Sequence, residues 1–237
     1  MKLKIGIFDS GIGGFTILNS LLKTRKDIEV FYLADTKRVP YGDKNFGQIR
    51  IIAHEICNWF KNKDLDALLI ACNTTNACAL DILENSLKVP CFDLINSVSD
   101  KVSKKNIGVL ATSTTVKSLF YKKVIESKRE NVRVFQQACP EFVSEIETNT
   151  INLHKINYLA NLYLDPLLKK NIEEIILGCS HYPLIYNILK NKIHPNIKII
   201  DPSDALVNEF NNSFLIPKND CCESIAYDNV RFFVTSD

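Results

Sequence analysis

Short apolar runs, each closed by a turn or polar residue, recur along the chain with amphipathic stretches between them. The runs 5–8, 30–33, 67–71 and 91–95 have the length and β-branched or apolar character of strands in a parallel sheet. Between them, 15–22, 48–61 and 76–87 carry apolar residues at helical spacing, with Ile49, Ile52, Ala53, Ile56 and Phe60 forming one stripe. A second series repeats the pattern, with strands predicted over 107–110, 132–135, 175–177 and 197–200 and helices over 115–128, 155–170 and 184–192. One more strand-like run, 230–235, follows, and nothing in its pattern says which series it joins.

Strands alternating with helices predict an α/β fold with mostly parallel central sheets. The two series also match in order: Ile5-Gly6-Ile7-Phe8-Asp9-Ser10 stands beside Ile107-Gly108-Val109-Leu110-Ala111-Thr112, and each series then has a Val-x-Phe-like strand followed by a cysteine loop. Such ordered self-similarity predicts two pseudosymmetric βα domains. The first runs to about 96 and the second covers 97–204, with the polar stretch 101–106 carrying the crossing.

At 237 residues the chain suits one large domain or two of roughly 100 to 120 residues. A content of 46% hydrophobic and 24% charged residues argues for a folded chain over disorder. The formal charge is only +2 and the lysines are dispersed, so the electrostatic footprint of a nucleic-acid binder is missing and a small polar ligand fits better. No apolar stretch approaches the roughly 18 to 20 residues that cross a bilayer, which excludes a spanning helix and leads to the expectation of a soluble, cytoplasmic protein. Eight cysteines without a secretion signal are expected to be reduced thiols, and the adjacent Cys221 and Cys222 read as ordinary tail thiols.

Two of those cysteines change the picture. Cys72 and Cys179 each come just after a fully apolar run, where a buried parallel strand ends and presents its next side chain to a ligand crevice. Two thiols at the ends of equivalent strands suit a reaction that needs one base on each side of a carbon, of which stereoinversion is the simplest. Cys72 also precedes a helix, whose N-terminal amides favour thiolate; a buried structural cysteine is the alternative. His181 lies two residues beyond Cys179 and could hold a proton, stabilise a thiolate or bind substrate. A zinc site would need about two more ligands than this Cys-x-His fragment offers, so no metal is expected.

After the first strand, Asp9-Ser10-Gly11-Ile12-Gly13-Gly14 opens a helix. Its glycines are compatible with an anion at the helix N-terminus or with a tight turn alone, and they match neither a Walker loop nor a dinucleotide fingerprint. Asp9 is placed either to accept or orient a proton or to cap the helix. Pro40-Tyr41-Gly42, Thr112 with Thr115, and Glu147 are further polar groups able to complete a cleft.

The blocks Ile7 to Gly14, Ala34 to Gly42, Ala71 to Thr74, Ala138 to Val143 and Leu177 to Pro183 resemble, in order, the motifs of the glutamate racemases within the cofactor-independent aspartate/glutamate racemase superfamily. The resemblance implies two pseudosymmetric domains with the active site between them, the segment 205–237 returning to the first, and no cofactor. It implies that Cys72 and Cys179 are the catalytic thiols, acting on D-glutamate and L-glutamate respectively, with Asp9 assisting near Cys72 and His181 near Cys179. Ser10, Tyr41, Gly42, Asn73, Thr74, Thr112, Thr115, Ser180 and Glu147 would hold the substrate. It further implies a homodimer and a supply of D-glutamate for peptidoglycan in a bacterial cytoplasm. An aspartate or broader amino-acid racemase is the nearest alternative, and a catalytically weak binding or regulatory protein on the same fold is another. Asp93 and Asn96 stand where the family has glycine and proline, which alters the expected shape of the inter-domain crossover; Ala34 and Ser180 are milder departures.

Overall fold

The computed structural model describes residues 2–148, 150–214 and 225–235, so Cys221 and Cys222 lie outside the described residues. The chain begins β1 (Leu3–Asp9), α1 (Phe15–Thr24), β2 (Ile28–Ala34), α2 (Phe46–Phe60), β3 (Ala67–Ile70), α3 (Asn73–Ser86), β4 (Cys91–Asp93) and α4 (Leu94–Ser99). It continues with β5 (Asn106–Ala111), α5 (Ser113–Ser118), α6 (Phe120–Lys128), β6 (Arg133–Ala138), α7 (Pro140–Ile146), α8 (Leu153–Leu168) and β7 (Glu174–Gly178). The last elements are α9 (Tyr186–Lys190), β8 (Lys198–Ile200), α10 (Pro202–Ser213) and β9 (Val230–Val234).

The strands form two sheets, ordered β4-β3-β1-β2-β9 and β8-β7-β5-β6, with every neighbouring pair parallel. The first four strands of each series therefore stand in the same spatial order, fourth-third-first-second, which is the architectural form of the internal repeat. The unassigned run 230–235 joins the first sheet as β9, paired to β2 from Val30↔Val230 to Ala34↔Val234.

Alternation along each strand sends successive side chains to opposite faces, and helices cover both. Ile5 and Ile7 of β1 pack with Leu18 of α1 and Phe210 of α10, whereas Phe8 packs on the other face with Ile49 and Ile56 of α2 and Leu83 of α3. In the second sheet Ile107 and Val109 face Val98 of α4 and Tyr121 of α6, and Leu110 faces Phe142 of α7 and Leu164 of α8. Leu68, Leu69 and Ile70 expose nothing, and full burial of each contributes about 1.5–3 kcal/mol. This explains why β3 reads as an unbroken apolar run.

Several elements differ from the sequence expectation. The helix predicted over 115–128 is two helices, broken at Leu119, which adopts a left-handed conformation (φ 58°); the apolar spacing Val116, Tyr121, Ile125 survives the break and conceals it. The strand predicted over 91–95 stops at Asp93, whose carboxylate accepts the amides of Ile95 and Asn96 and starts α4. The departure at Asp93 and Asn96 is thus a helix start, reinforced by Asn96 Nδ2 donating to the second carboxylate oxygen at 2.9 Å. The helix predicted over 184–192 opens with a 3₁₀ turn, Tyr182–Ile185, before α9. α7 and α10, each with proline in its first turn, were not among the expected helices.

Candidate active site

In a parallel sheet whose chain order reverses beside a central strand, the connections leave in opposite directions and open a crevice at the strands' carboxyl ends. Here that reversal lies between β1 and β3 in the first sheet and between β5 and β7 in the second. Asp9 and Cys72 sit at the first crevice, Thr112 and Cys179 at the second, and the two crevices share one cavity. Ser10, Tyr41, Gly42, Cys72, Asn73, Thr74, Thr112, Val143, Cys179, Ser180 and His181 line it. The cavity is narrow, with room for about one water.

Cys72 is the N-cap residue of α3 and is almost fully buried. Its Sγ lies 3.7 Å from Ser10 Oγ. Burial, and then the nearby Asp9 charge, push its thiol up to about 12. The expected pull of the helix N-terminus toward thiolate is present, through Thr75, but it is outweighed.

Asp9 itself has no exposed surface. Its Oδ2 accepts the amides of Gly14 at 2.9 Å and Gly11 at 3.2 Å, and its Oδ1 accepts the Ser180 hydroxyl at 3.0 Å. Burial raises its pKa, against the opposing charge of His181 and those two amides. The glycine loop therefore turns its amides on the chain's own carboxylates: the Ile12 amide donates to Glu147 Oε1 at 3.2 Å. None of the loop's glycines has a positive φ. Their value is closeness, since a Cβ on Gly13 would collide with Ser180 and His181, and one on Gly11 with Glu147.

On the opposite wall, Cys179 Sγ lies 3.7 Å from His181 Nδ1, and His181 Nε2 lies 2.5 Å from Glu147 Oε1. Burial works to lower the His181 pKa, but its bonds to Cys179 and Glu147 outweigh burial and carry it up to about 10. For Glu147 burial acts upward and the His181 contact acts downward, with a net fall. That rise favours the imidazolium form at neutral pH, with the ring set between the Cys179 sulfur and the Glu147 carboxylate. Glu147 does not line the cavity; it reaches the site through His181.

Three threonine hydroxyls close one end. Thr112 Oγ1 is 3.0 Å from Thr74 Oγ1 and 2.9 Å from Thr115 Oγ1, so Thr115 lies behind the two that face the cavity. Tyr41 presents its ring while its hydroxyl donates to the buried Asp35, which also accepts from Arg38 Nε and from Thr235 Oγ1 beyond β9, each at 2.6 Å. Residues absent from the sequence prediction complete the frame. Thr114 donates to the carbonyls of Gly42 and Lys44, Val143 supplies an apolar wall, and Tyr121 donates to Asn73 Oδ1. Val143 lay within a quoted motif, but Thr114 and Tyr121 act on residues far away in sequence and carry no local signal. Among the described residues no group of three or more His, Cys, Asp or Glu side chains could hold a metal ion, and no helix is long and apolar enough to cross a membrane.

Residues 17–210 match the family model described as Asp/Glu/Hydantoin racemase. The chain is 43% identical over 236 residues to a glutamate racemase of Prochlorococcus marinus (strain NATL1A), covering 99% of this chain and 88% of that protein. Among solved structures it superposes on a glutamate racemase isoform from Bacillus anthracis with a TM-score of 0.89 at 28% identity, covering 99% of this chain and 89% of that one. The glutamate racemase of Francisella tularensis subsp. tularensis SCHU S4 in complex with D-glutamate gives a TM-score of 0.88 at 33% identity, covering 100% and 89%.

Proposed function

The chain belongs to the Asp/Glu/Hydantoin racemase family and is an amino-acid racemase, and from that premise we propose that it interconverts L-glutamate and D-glutamate by two-base proton transfer between Cys72 and Cys179. The observation that carries this reading is the pair of thiols at equivalent strand ends, lining one cavity, each with its own ionisable neighbour.

Removing the α-proton of an amino acid leaves a carbanion that only the α-carboxylate can delocalise. Donors around that carboxylate and exclusion of water must therefore supply the stabilisation. Asn73, Thr74 and Thr112, with the Ser10 hydroxyl, are the donors that would hold the substrate's carboxylates, Ser180 would bind the substrate once its hydroxyl leaves Asp9, and the Tyr41–Gly42 segment would bound its side chain. For L-glutamate, Cys179 as thiolate takes the α-proton: the Cα–H bond breaks and an S–H bond forms. The His181 imidazolium lies beside the sulfur that must carry the negative charge. Cys72, kept as a thiol by burial and by Asp9, then gives its proton to the opposite face of the same carbon and is left as thiolate. The reverse reaction runs the two steps backward from D-glutamate. No cofactor takes part in either direction.

The lobes 1–96 with 205–237 and 97–204 are, in this reading, the units that part to admit substrate. We further read the enzyme as a cytoplasmic homodimer that supplies D-glutamate for peptidoglycan.

Incubation with L-glutamate in D₂O tests the mechanism. Early in the reaction the D-isomer is expected to carry deuterium at Cα while unreacted L-glutamate keeps its proton, because the returning proton comes from the exchanged Cys72 thiol. A single base would wash deuterium into both. Cys72→Ala and Cys179→Ala are each expected to lose racemisation, by at least about 10³-fold. Either variant turning over like the wild type would refute the two-thiol assignment, and a clear preference for L-aspartate would overturn the choice of substrate.

A further inference from the structure

Asn73 sits one residue beyond the Cys72 thiol, lines the cavity and is 2% exposed. Its amide offers one acceptor and one donor group, and only the acceptor is paired within the protein. Oδ1 accepts the hydroxyl of Tyr121 at 2.6 Å, whereas Nδ2 is buried without any hydrogen-bond partner in the protein. An amide nitrogen left unpaired in a buried site costs free energy unless something bound there accepts from it, so this donor is reserved for a ligand oxygen. Which end of the amide faces the cavity is decided by the phenol at the other end. Tyr121 comes from α6 of the second half, has no exposed surface and takes no part in lining the cavity.

We infer that Tyr121 is a positioning residue which fixes the Asn73 amide with its N–H₂ turned toward the substrate carboxylate. The inference rests on the racemase reading for the identity of that carboxylate. The physical need is plain: a freely rotating amide would present its carbonyl oxygen to an anion in part of the population, and that arrangement repels. Because the phenol and the amide belong to opposite halves, the bond forms only when the halves are together. The donor is thereby oriented at the moment the cavity closes.

A double-mutant cycle separates positioning from mere support. In the full chain, Tyr121→Phe keeps the ring and removes only the hydroxyl, and it is expected to lower kcat/KM for glutamate by about tenfold, the loss expected for one misoriented donor to a charged group. Asn73→Ala is expected to cost more. The double variant should match Asn73→Ala alone, because Tyr121 has nothing left to orient. Equal losses from Tyr121→Phe in both backgrounds, or wild-type kcat/KM in Tyr121→Phe, would overturn the inference. Calorimetric titration with D-glutamate runs the same cycle on Kd, with thermal melting checking that each variant is folded at the assay temperature. A wild-type protein that binds D-glutamate but never racemises it would sink the catalytic reading while the cycle on Kd still decides the role of Tyr121. Absence of binding by the folded wild type would overturn both.

Discussion

At the scale of single residues, the two thiols have unlike surroundings. Cys72 faces a buried carboxylate and is held protonated; Cys179 faces an imidazolium backed by a second carboxylate. This asymmetry leaves a signature in stability. The folded His181 pKa, about 10, lies above its ordinary value of 6.5. Protonation in the folded state is therefore favoured relative to the unfolded chain, so its contribution is fully present below pH 6.5 and is lost as pH rises toward 10. The shifted cysteines act in the same direction, but only above their ordinary value of 9. Between pH 6.5 and 9 His181 contributes a falling slope, and the buried Asp9, whose pKa is also raised, acts in the same direction as it titrates. Melting curves across that window should show Tm falling with pH in the wild type and a flatter profile in His181→Gln. An equal slope in both would mean that the imidazolium is not held by its neighbours as the geometry requires.

At the scale of elements, the site depends on where strands stop and helices start. Asp93 ends β4 and begins α4 in one residue, accepting two backbone amides that would otherwise be unpaired at the helix start. Asp93→Ala removes that cap and is expected to cost about 1 kcal/mol of stability, up to about 2 kcal/mol given its burial. Denaturant titration checks this, and an unchanged midpoint would show that the crossover does not rely on the cap. Asp93 also illustrates what a sequence conceals: Leu94 and Ile95 extend an apolar run that begins in β4, so the eye carries the strand two residues too far. The ends of β3 and β7 were legible for the opposite reason. Strands buried on both faces leave unbroken apolar runs, and a cysteine follows close behind each, Cys72 two residues after Ile70 and Cys179 two after Leu177. The glycine loop was legible as a turn, but its partners were not. That Gly11 and Gly13 press against Glu147, Ser180 and His181 follows from packing between halves, which no local pattern records. Thr114 under Gly42 and Tyr121 behind Asn73 escaped notice for the same reason.

At the scale of the molecule, a set of polar contacts at the site crosses from one sheet's side to the other. Asp9 meets Ser180, Ile12 meets Glu147, Thr74 meets Thr112, Gly42 meets Thr114 and Asn73 meets Tyr121. A cavity with room for about one water cannot admit an amino acid. Turnover therefore requires these contacts to part while each sheet keeps its own core, and the thiols supply a direct measure of that opening. Cys72 and Cys179 are 3% and 5% exposed, as hidden as Cys57 at 1% and Cys139 at 0%. They differ in where they lie. Cys72 and Cys179 line the cavity to which both halves contribute, whereas Cys57 and Cys139 do not. Separation of the halves should expose only the first pair, whereas global unfolding exposes all four. Under native conditions, alkylation followed by peptide mass mapping is expected to label Cys72 and Cys179 well ahead of Cys57 and Cys139, and saturating D-glutamate should slow only the first pair. Labelling of all four at one common rate would mean that the halves do not part short of unfolding, and substrate would then need another route to the thiols.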